Sequence, residues 1–439
     1  MRVSTTMLSM TSLEAMLSQQ AGLNQTQLRV STGRNLLSPA DDPYGSARIL
    51  DLQEVVSVND QYQVNAVFAE NRLQLEEGVL AGAGNALQRI RELAVLANND
   101  SQTAESRDFI AVEVDLLLDQ IVSLANSTDS NNEYLFAGFQ GRTKPFNLDS
   151  GTGRYLYAGD DGQRYLRVGS STEVAAGDDG KQVFMSVRNG NGKYQTNQNV
   201  ANVGTGIIDP GEVNGAYVPD TYTIRFIPPS NLADPYAPNE YYVLDGLGEV
   251  IAPPPPAVPA GTTEAAFLAS PAPGIPYEKG AIIQGLDTRG IQLDISGDPS
   301  PGTVPRTAID GDSFTISPSS YEDVFTTIQD LVTTLTSNQT DFQDRAHFHN
   351  GMNRALVNID QAMGNIMDTR AKVGARMNTV DKQTEINESF NLELKKNMSA
   401  IEDLDYASAI TLLNRQLLGL QAAQNTYTKI QGLSMFNYM

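Results

Sequence analysis

The chain has 439 residues, a formal net charge of −22 and a pI of about 4.4. So acidic a chain repels nucleic acids and anionic membranes, and neither is expected as a partner. Cysteine is absent, which excludes disulfides, thiolate chemistry and cysteine-based metal sites.

No stretch of the chain has the length and apolar character that a membrane-spanning helix requires. Residues 1–20 also lack the continuous apolar core of a secretory signal. We therefore expect the chain either to stay in the cytosol or to leave the cell by a route that reads an uncleaved terminus.

The distribution of proline divides the chain into three parts. Of its 21 prolines, only Pro39 and Pro43 lie outside residues 145–318. A proline inside a helix removes a hydrogen bond and clashes with the preceding turn. The two flanks can therefore form long helices and the middle cannot, so the sequence predicts helices at both ends and an insert between them.

The first predicted helix spans residues 1–34. Three of its apolar residues recur every seven positions: Met16, Leu23 and Val30. Leu13 is predicted to lie beside them on the same face of the helix. Ser31-Thr32-Gly33 is a composition typical of a helix end.

A turn with two adjacent carboxylates follows this helix. Asp42 is placed to cap the next helix, and Pro43 to be its first residue, where a missing N–H costs nothing. Asp41 and Asp42 could also be interpreted as a metal or acid–base pair. The cap is the preferred interpretation, because the surrounding sequence supplies no further ligand.

Heptad repeats predict a long helix over residues 49–97 and a second helix that ends near Asn126. The main seam of the first is Leu52, Asn59, Ala66, Leu73, Leu80, Leu87 and Ala94. Its companion seam is Val55, Tyr62, Ala69, Glu76, Ala83, Ile90 and Ala97. Both seams are expected to be packed core.

Short runs with β-branched or aromatic residues separate the turns of the middle segment, which predicts an antiparallel β domain. The predicted strands are 164–168, 183–187, 222–227, 241–244, 291–295 and 313–316. The proline-rich residues 253–276 are expected to form an extended, exposed loop or linker.

Helices are predicted again after the insert. Ser319 or Ser320 is expected to cap a first short helix, and a longer one carries the seven-residue repeat Met352, Ile359, Ile366, Val373, Val380, Asn387, Leu394 and Ile401. The last helix has one apolar face, made of Tyr406, Ile410, Leu413, Leu417, Leu420 and Tyr427 and interrupted by Gln424. Such a helix needs a partner, and the first helix of the chain is the simplest one.

The predicted fold class is therefore α+β, a long antiparallel helical bundle made from both chain ends with a β-rich domain inserted. The predicted domains are a terminal helical pair (1–42 and 402–439), a helical rod (43–142 and 319–401) and the β insert (143–318). The helix cap at Asp42 and Pro43 would join the first two.

No constellation in the sequence predicts catalysis or a cofactor, and we interpret the chain as a non-enzyme. His347 and His349, its two histidines, are two residues apart and face differently on a helix, so metal binding is disfavoured. Asp160-Asp161-Gly162 and Asp178-Asp179-Gly180 lack the full calcium-loop pattern and are interpreted as turns.

Several stretches near the two ends of the chain form a set that resembles a known family. They are Met1–Thr5, Ser31–Arg34, Ser38–Pro43, Gln88–Ala94, Asn132–Gly138, Asp403–Ala407 and Gln431–Tyr438. The set is similar to the flagellin superfamily and, within it, to the hook-associated proteins of the hook–filament junction. The Ser38–Pro43 turn, Tyr134–Gly138 and Phe436–Tyr438 favour the junction family over flagellin itself.

The resemblance implies an inner domain made of the paired terminal helices, a surrounding rod and an outward-facing insert. It also implies assembly through the terminal helices, and we expect the contacts at Leu13, Met16, Leu23, Val30, Tyr406, Ile410, Leu413, Leu417, Leu420, Tyr427 and Phe436.

The partners that the resemblance implies are flagellin, hook-associated protein 1, other copies of this chain and an export chaperone. It further implies export by the flagellar type III pathway without a cleaved signal. Two alternatives stay open at this point: a flagellin-type filament subunit, and a cytoplasmic coiled-coil scaffold whose β domain binds a ligand.

Overall fold

A computed structural model describes residues 5–234, 236–253, 257–270, 272–303, 309–338 and 340–432. The α-helices of these residues are α1 (Thr5–Thr32), α2 (Pro43–Ala97), α3 (Ala104–Ala125), α4 (Glu264–Leu268), α5 (Val324–Leu335), α6 (Phe342–Glu402) and α7 (Tyr406–Gly432). The predicted α+β class, with helical ends and a β-rich middle, is confirmed.

The strands of the described residues all lie between the two helical parts of the sequence. They are β1 (Phe146–Leu148), β2 (Tyr155–Tyr157), β3 (Tyr165–Arg167), β4 (Glu173–Ala175), β5 (Val187–Arg188), β6 (Tyr194–Gln198), β7 (Ile207–Ile208), β8 (Glu212–Val213), β9 (Tyr222–Ile227), β10 (Glu240–Leu244), β11 (Val250–Ala252), β12 (Ile275–Pro276), β13 (Ile291–Gln292), β14 (Ile295–Ser296), β15 (Ser313–Pro318) and β16 (Tyr321–Glu322). The main sheet is antiparallel, in the order β11-β10-β9-β15-β6, and β12 also pairs with β10.

The described residues form two compact units. The first comprises those within Met1–Val67, Arg167–Glu173 and Val380–Met439, and the second those within Phe68–Leu166 and Val174–Thr379. This division follows from packing alone. The predicted division into a terminal pair, a rod and an insert stays a prediction.

The main heptad seams of α2 and α6 are largely buried in each unit. In the second unit, Leu73, Leu80 and Leu87 of α2 and Met352 and Ile366 of α6 are fully or almost fully buried. Ion pairs between Arg91 and Asp360 (2.6 Å) and between Arg370 and Glu77 (2.6 Å) flank this seam. The two helices therefore run antiparallel there, as their repeats predict.

The β insert has apolar residues packed on both faces of its main sheet. On β10, Tyr241 and Val243 pack into one cluster, whereas Tyr242 and Leu244 pack into another. Successive residues of a strand point to opposite faces, so all of β10 is buried. This explains why the apolar and polar residues of the insert alternate only weakly in the sequence.

The predicted strand at 183–187 is wrong. Residues Lys181–Met185 form a turn of π-helix, and only Val187 begins a strand. The amide of Asn365 donates hydrogen bonds to the carbonyls of Gln182 (3.1 Å) and Val183 (2.8 Å), carbonyls that a strand would have paired elsewhere. The buried side chains of this segment, Val183 and Phe184, thus belong to a helical turn and not to a strand.

The predicted cap of α5 is also wrong. The cap is Asp323, whose carboxylate accepts a hydrogen bond from the backbone N–H of Thr326 at 2.6 Å. The hydroxyl of Ser319 instead donates to the carbonyl of Asn189 at 2.7 Å. Two further residues, Tyr321 and Glu322, pair as strand β16 before the helix starts.

The proline-rich residues 253–276 are not an exposed loop or linker, as far as they are described. They contain α4 and β12, and Val258 and Phe267 lie buried in the cluster beneath Tyr242. Composition alone did not reveal this, because the few apolar residues that anchor the segment are spread among prolines and alanines.

This correction gives a prediction. Replacing Phe267 with alanine removes a fully buried ring and should lower the free energy of unfolding by about 3–5 kcal/mol. The control is Leu247→Ala in the β10–β11 turn, where the side chain is 86% exposed and a change below about 0.5 kcal/mol is expected. Urea unfolding followed by circular dichroism measures both, and equal effects would contradict the buried segment.

Candidate assembly interface

The first and last helices of the chain pair along their length within the first unit. A Cβ added at Gly22 of α1 would lie 3.7 Å from Nε2 of Gln416, and one added at Gly419 of α7 would lie 2.7 Å from Nε2 of Gln19. Residue numbers rise along α1 as they fall along α7, so the two helices are antiparallel. The predicted pairing of the two chain ends is confirmed.

Backbone hydrogen bonds close the base of this pair. The N–H of Leu404 donates to the carbonyl of Gly33 (2.9 Å), and the N–H of Asn35 donates to the carbonyl of Glu402 (2.7 Å). An ion pair joins Arg34 to Glu402 at 3.1 Å. The segment after α1 is thereby fixed to the α6–α7 junction, so the end of α1 lies beside the start of α7.

Asp405 caps the start of α7. Its carboxylate accepts hydrogen bonds from the N–H of Ala407 (3.0 Å) and the hydroxyl of Ser408 (2.8 Å). The Ser408 hydroxyl bond is the main cause that lowers the pKa of Asp405, and backbone N–H groups add to it. The cap therefore stays charged at neutral pH and satisfies N–H groups that a helix start leaves free.

The turn between α1 and α2 is built around its two carboxylates. Asp42 accepts hydrogen bonds from the N–H groups of Tyr44 (3.1 Å) and Gly45 (3.0 Å), while Pro43 is the first residue of α2. Asp41 accepts from the N–H of Ser38 (3.0 Å), the main cause that lowers its pKa. This is the geometry of a capped turn.

The residues predicted for assembly differ in burial within the single chain. Leu23 is buried; Met16, Val30, Leu413, Leu420 and Tyr427 are half-buried; Leu13, Tyr406, Ile410 and Leu417 are exposed. Phe436 lies outside the described residues. The structure therefore brings part of the predicted face together in the helix pair and leaves another part open to solvent.

The helix pair exposes further large apolar side chains. Met10 is 67% and Leu418 67% exposed, and Leu17 and Leu28 are also exposed. A two-helix layer has no third element to cover its outer faces. The exposed apolar side chains of the pair are candidates for contact with another protein surface.

The sequence prediction missed a groove in the first unit. Val55, Val58, Tyr62, Ile386 and Phe390 contribute most of the apolar lining of this groove, which has a volume of about 560 Å³. Val55 was expected in the core but is 40% exposed. The companion seam of α2, to which Val55 belongs, is buried only where a third element packs against α2 and α6. The heptad pattern does not predict where that third element ends.

An amide network closes one side of this groove. The Asn59 side chain donates to the carbonyl of Asn387 (2.8 Å), and the Asn387 side chain donates to the carbonyl of Val168 (2.9 Å). The side chain of Asn65 similarly donates to the carbonyl of Arg167 (2.7 Å). Asn387 on the seam of α6 and Asn65 on α2 thus fix the 167–173 loop to the helices of the first unit.

Nothing in the described ranges resembles a metal centre or a membrane anchor. No group of three or more His, Asp or Glu side chains in them could hold a metal ion. None of the helices in those ranges is long and apolar enough to cross a bilayer.

Family models match both ends of the chain. The bacterial flagellin N-terminal helical region matches residues 3–141, and the bacterial flagellin C-terminal helical region matches residues 356–439. These ranges include the helix pair, the capped turn and most of α2, α3 and α6.

Curated relatives match over part of their length. The flagellar hook-associated protein 3 of Escherichia coli strain K12 is 31% identical over 187 residues, which cover 43% of this chain and 58% of that protein. The corresponding protein of Salmonella typhimurium is 32% identical over the same shares. A flagellin of Treponema pallidum is 31% identical over 34% of this chain and 52% of its own.

Solved structures match over most of the chain. The flagellar hook associated protein-3 of Legionella pneumophila superimposes with a TM-score of 0.70 at 30% identity, covering 80% of this chain and 98% of that chain. The FlgL protein of Xanthomonas campestris superimposes with a TM-score of 0.65 at 31% identity, covering 79% and 99%.

The geometry at the base of the helix pair predicts the effect of Gly33→Ala. Gly33 has φ +71°, and an added Cβ would lie 2.9 Å from the Tyr406 hydroxyl. We expect a loss of about 1–2 kcal/mol in the free energy of unfolding, together with loosening of α7.

The matched control is Gly78→Ala. Gly78 lies inside α2 with no atom within 4 Å of an added Cβ, so alanine should stabilise the chain by about 0.5–1 kcal/mol. Urea unfolding and amide exchange in α7 measure both variants. A Gly33→Ala chain as stable as the Gly78→Ala chain would contradict the described junction.

Proposed function

Because the chain belongs to the flagellar hook-associated protein 3 family, we propose that it is a structural subunit of the bacterial flagellum, placed where the filament meets the hook. In this proposal it contacts hook-associated protein 1 on the hook side and flagellin on the filament side. It works by assembly and not by catalysis, as expected for a chain whose relatives are flagellar hook-associated proteins and flagellins.

The observation that carries the proposal is the incompletely buried terminal helix pair. Its apolar face is made from both chain ends, and Ile410, Leu417 and Leu418 stay exposed in the single chain. Burying apolar surface contributes about 25 cal/mol per Å², so neighbouring subunits stabilise the pair when they cover it. Repeated head-to-tail contacts of one kind produce a helical assembly.

The groove beside Val55 and Phe390 is a second exposed apolar surface in the first unit. It is apolar, open and lined by side chains of α2 and α6. We propose that assembly also covers this groove.

The other partners in this proposal are copies of the chain itself and an export chaperone, with export by the flagellar type III route without signal cleavage.

A flagellin-type filament subunit is the second candidate. The two flagellin-region models that match the chain ends favour it. The junction assignment is preferred because the structures that superimpose over about four-fifths of the chain at 30% identity carry the names of hook-associated and junction proteins. A cytoplasmic scaffold has no comparable support.

The test places charges on the apolar face of α7. Leu413 and Leu420 are half-buried in the pair, so Leu413→Glu with Leu420→Glu should leave the insert folded and abolish attachment of filaments to hooks. The control is Asn414→Glu with Gln421→Glu, which adds the same charge one residue further along, at exposed positions.

Electron microscopy of cells that carry each variant in place of the normal chain gives the readout, with circular dichroism to check folding. We expect bare hooks for the leucine variant and normal filaments for the control. Normal filaments on the leucine variant would contradict the proposed role of the apolar face of α7.

A further inference from the structure

Helix α2 carries a carboxylate in the core of the second unit. Glu76 occupies a position of the companion heptad seam between Ala69 and Ala83, and it is only 1% exposed. A charged side chain in that place is strongly unfavourable unless it is paired. The surroundings of Glu76 therefore decide what it can do.

Two aspartates near Glu76 are already paired. The guanidinium of Arg376, on α6, donates to both carboxylate oxygens of Asp178, at 2.8 and 2.9 Å. The guanidinium of Arg72, one turn before Glu76, donates to Asp129 at 2.9 Å. Each arginine thus has an aspartate of its own.

Glu76 is left with a single hydrogen bond. Its Oε1 accepts from the backbone N–H of Asp178 at 3.0 Å, whereas its buried Oε2 has no hydrogen-bond partner among the described residues. Two arginines face three carboxyl groups, so the cluster is neutral only if one carboxyl group holds a proton. Glu76 is the one whose second oxygen no donor stabilises.

Electrostatics point to the same group. Burial is the main cause that raises the pKa of Glu76 to about 8, and the nearby charge of Asp178 adds to it. Opposing contributions come first from the backbone N–H of Asp178 and then from Arg376 on α6 and Arg72 on α2, and together they only partly offset the burial. Asp129, from the segment after α3, neutralises Arg72.

The segment that Glu76 holds links a strand to the π-helical turn. It runs through Gly177 and Asp178, just after β4. The amide of Gln163 donates to the Gly177 carbonyl at 3.0 Å, and the N–H of Gly180 donates to the Phe136 carbonyl at 3.0 Å. Helices α2 and α6 and the insert therefore meet at this one cluster.

We propose that Glu76 is a proton-controlled latch that fixes the 177–180 segment of the insert to helices α2 and α6. With its proton, the carboxyl group leaves the cluster neutral and the segment closed. Loss of the proton places a third carboxylate, without a cation of its own, against Asp178, and the segment opens. The latch is independent of which flagellar partner the chain contacts.

The sign of the pH dependence follows from linkage. The folded chain holds the Glu76 proton up to about pH 8, whereas an ordinary glutamate releases it near 4.5. Between these values the folded state binds more protons than the unfolded state, so this group weakens folding as the pH rises. The unfolding equilibrium constant should rise about tenfold per pH unit from this one group.

The test compares the unaltered chain with Glu76→Gln, which keeps the shape and removes the titration. Urea unfolding between pH 5.5 and 9.5 gives the unfolding constant of the unaltered chain divided by that of the variant, and hydrogen exchange reports opening of residues 177–180. We expect this ratio to rise about tenfold per pH unit up to about pH 8. The protection factor of the 177–180 amides, which corrects their exchange rate for base catalysis at each pH, should fall above about pH 8 only in the unaltered chain.

The matched control is Glu77→Gln, the neighbouring residue, which pairs with Arg370 at 2.6 Å. This variant loses an ion pair but should keep the pH dependence of the unaltered chain. A Glu76→Gln chain with the same pH dependence as the unaltered chain would overturn the latch.

A direct titration keeps the proposal testable if Glu76→Gln does not fold. Carbon-13 labelling of the glutamate carboxyl groups in the full chain follows Glu76 by NMR, with its signal assigned through the neighbouring backbone. A midpoint near 8 supports the latch. A midpoint in the ordinary glutamate range overturns it.

Discussion

Antiparallel pairing of the two chain ends is the constraint on which the rest of the structure depends. In the first unit, α1 runs against α7, and Asn59 of α2 donates to the carbonyl of Asn387 of α6. In the second unit, Arg91 of α2 pairs with Asp360 of α6. At these positions, residues of the helices that lead to the insert contact residues of the helices that return from it.

The same constraint explains why the terminal helices suit assembly. Two paired helices bury one stripe each and leave their outer faces uncovered by each other. Leu17 on α1 and Leu418 on α7 are exposed for this reason. Caps such as Asp405 fix where the helices begin, so the exposed faces are presented at defined positions. The apolar side chains that the helix pair leaves exposed in the single chain are therefore the ones that the proposed assembly would bury.

The helices were predictable because a seven-residue repeat over many turns admits few other structures: Leu73, Leu80 and Leu87 are buried as their spacing requires. Long strands such as β9 were predictable for a similar reason. The failures depend on distant residues. Asn365 takes the carbonyls that make 181–185 helical, and the cluster under Tyr242 buries the proline-rich segment. In the candidate interface, the pairing of the ends followed from sequence, but the groove beside Val55 required the packed structure. In the second unit, the burial of Glu76 followed from its heptad position, but its contact with the backbone of Asp178 did not.

The proposed junction role is tested most directly in cells that lack this chain. Electron microscopy of their surface, combined with an assay of flagellin in the medium, distinguishes the roles that the chain could have. The account predicts hooks without filaments and flagellin lost to the medium, because filament subunits are exported but have no base on which to assemble. Long, normal filaments on those hooks would contradict it, and hooks with no flagellin anywhere would make the chain the filament subunit instead.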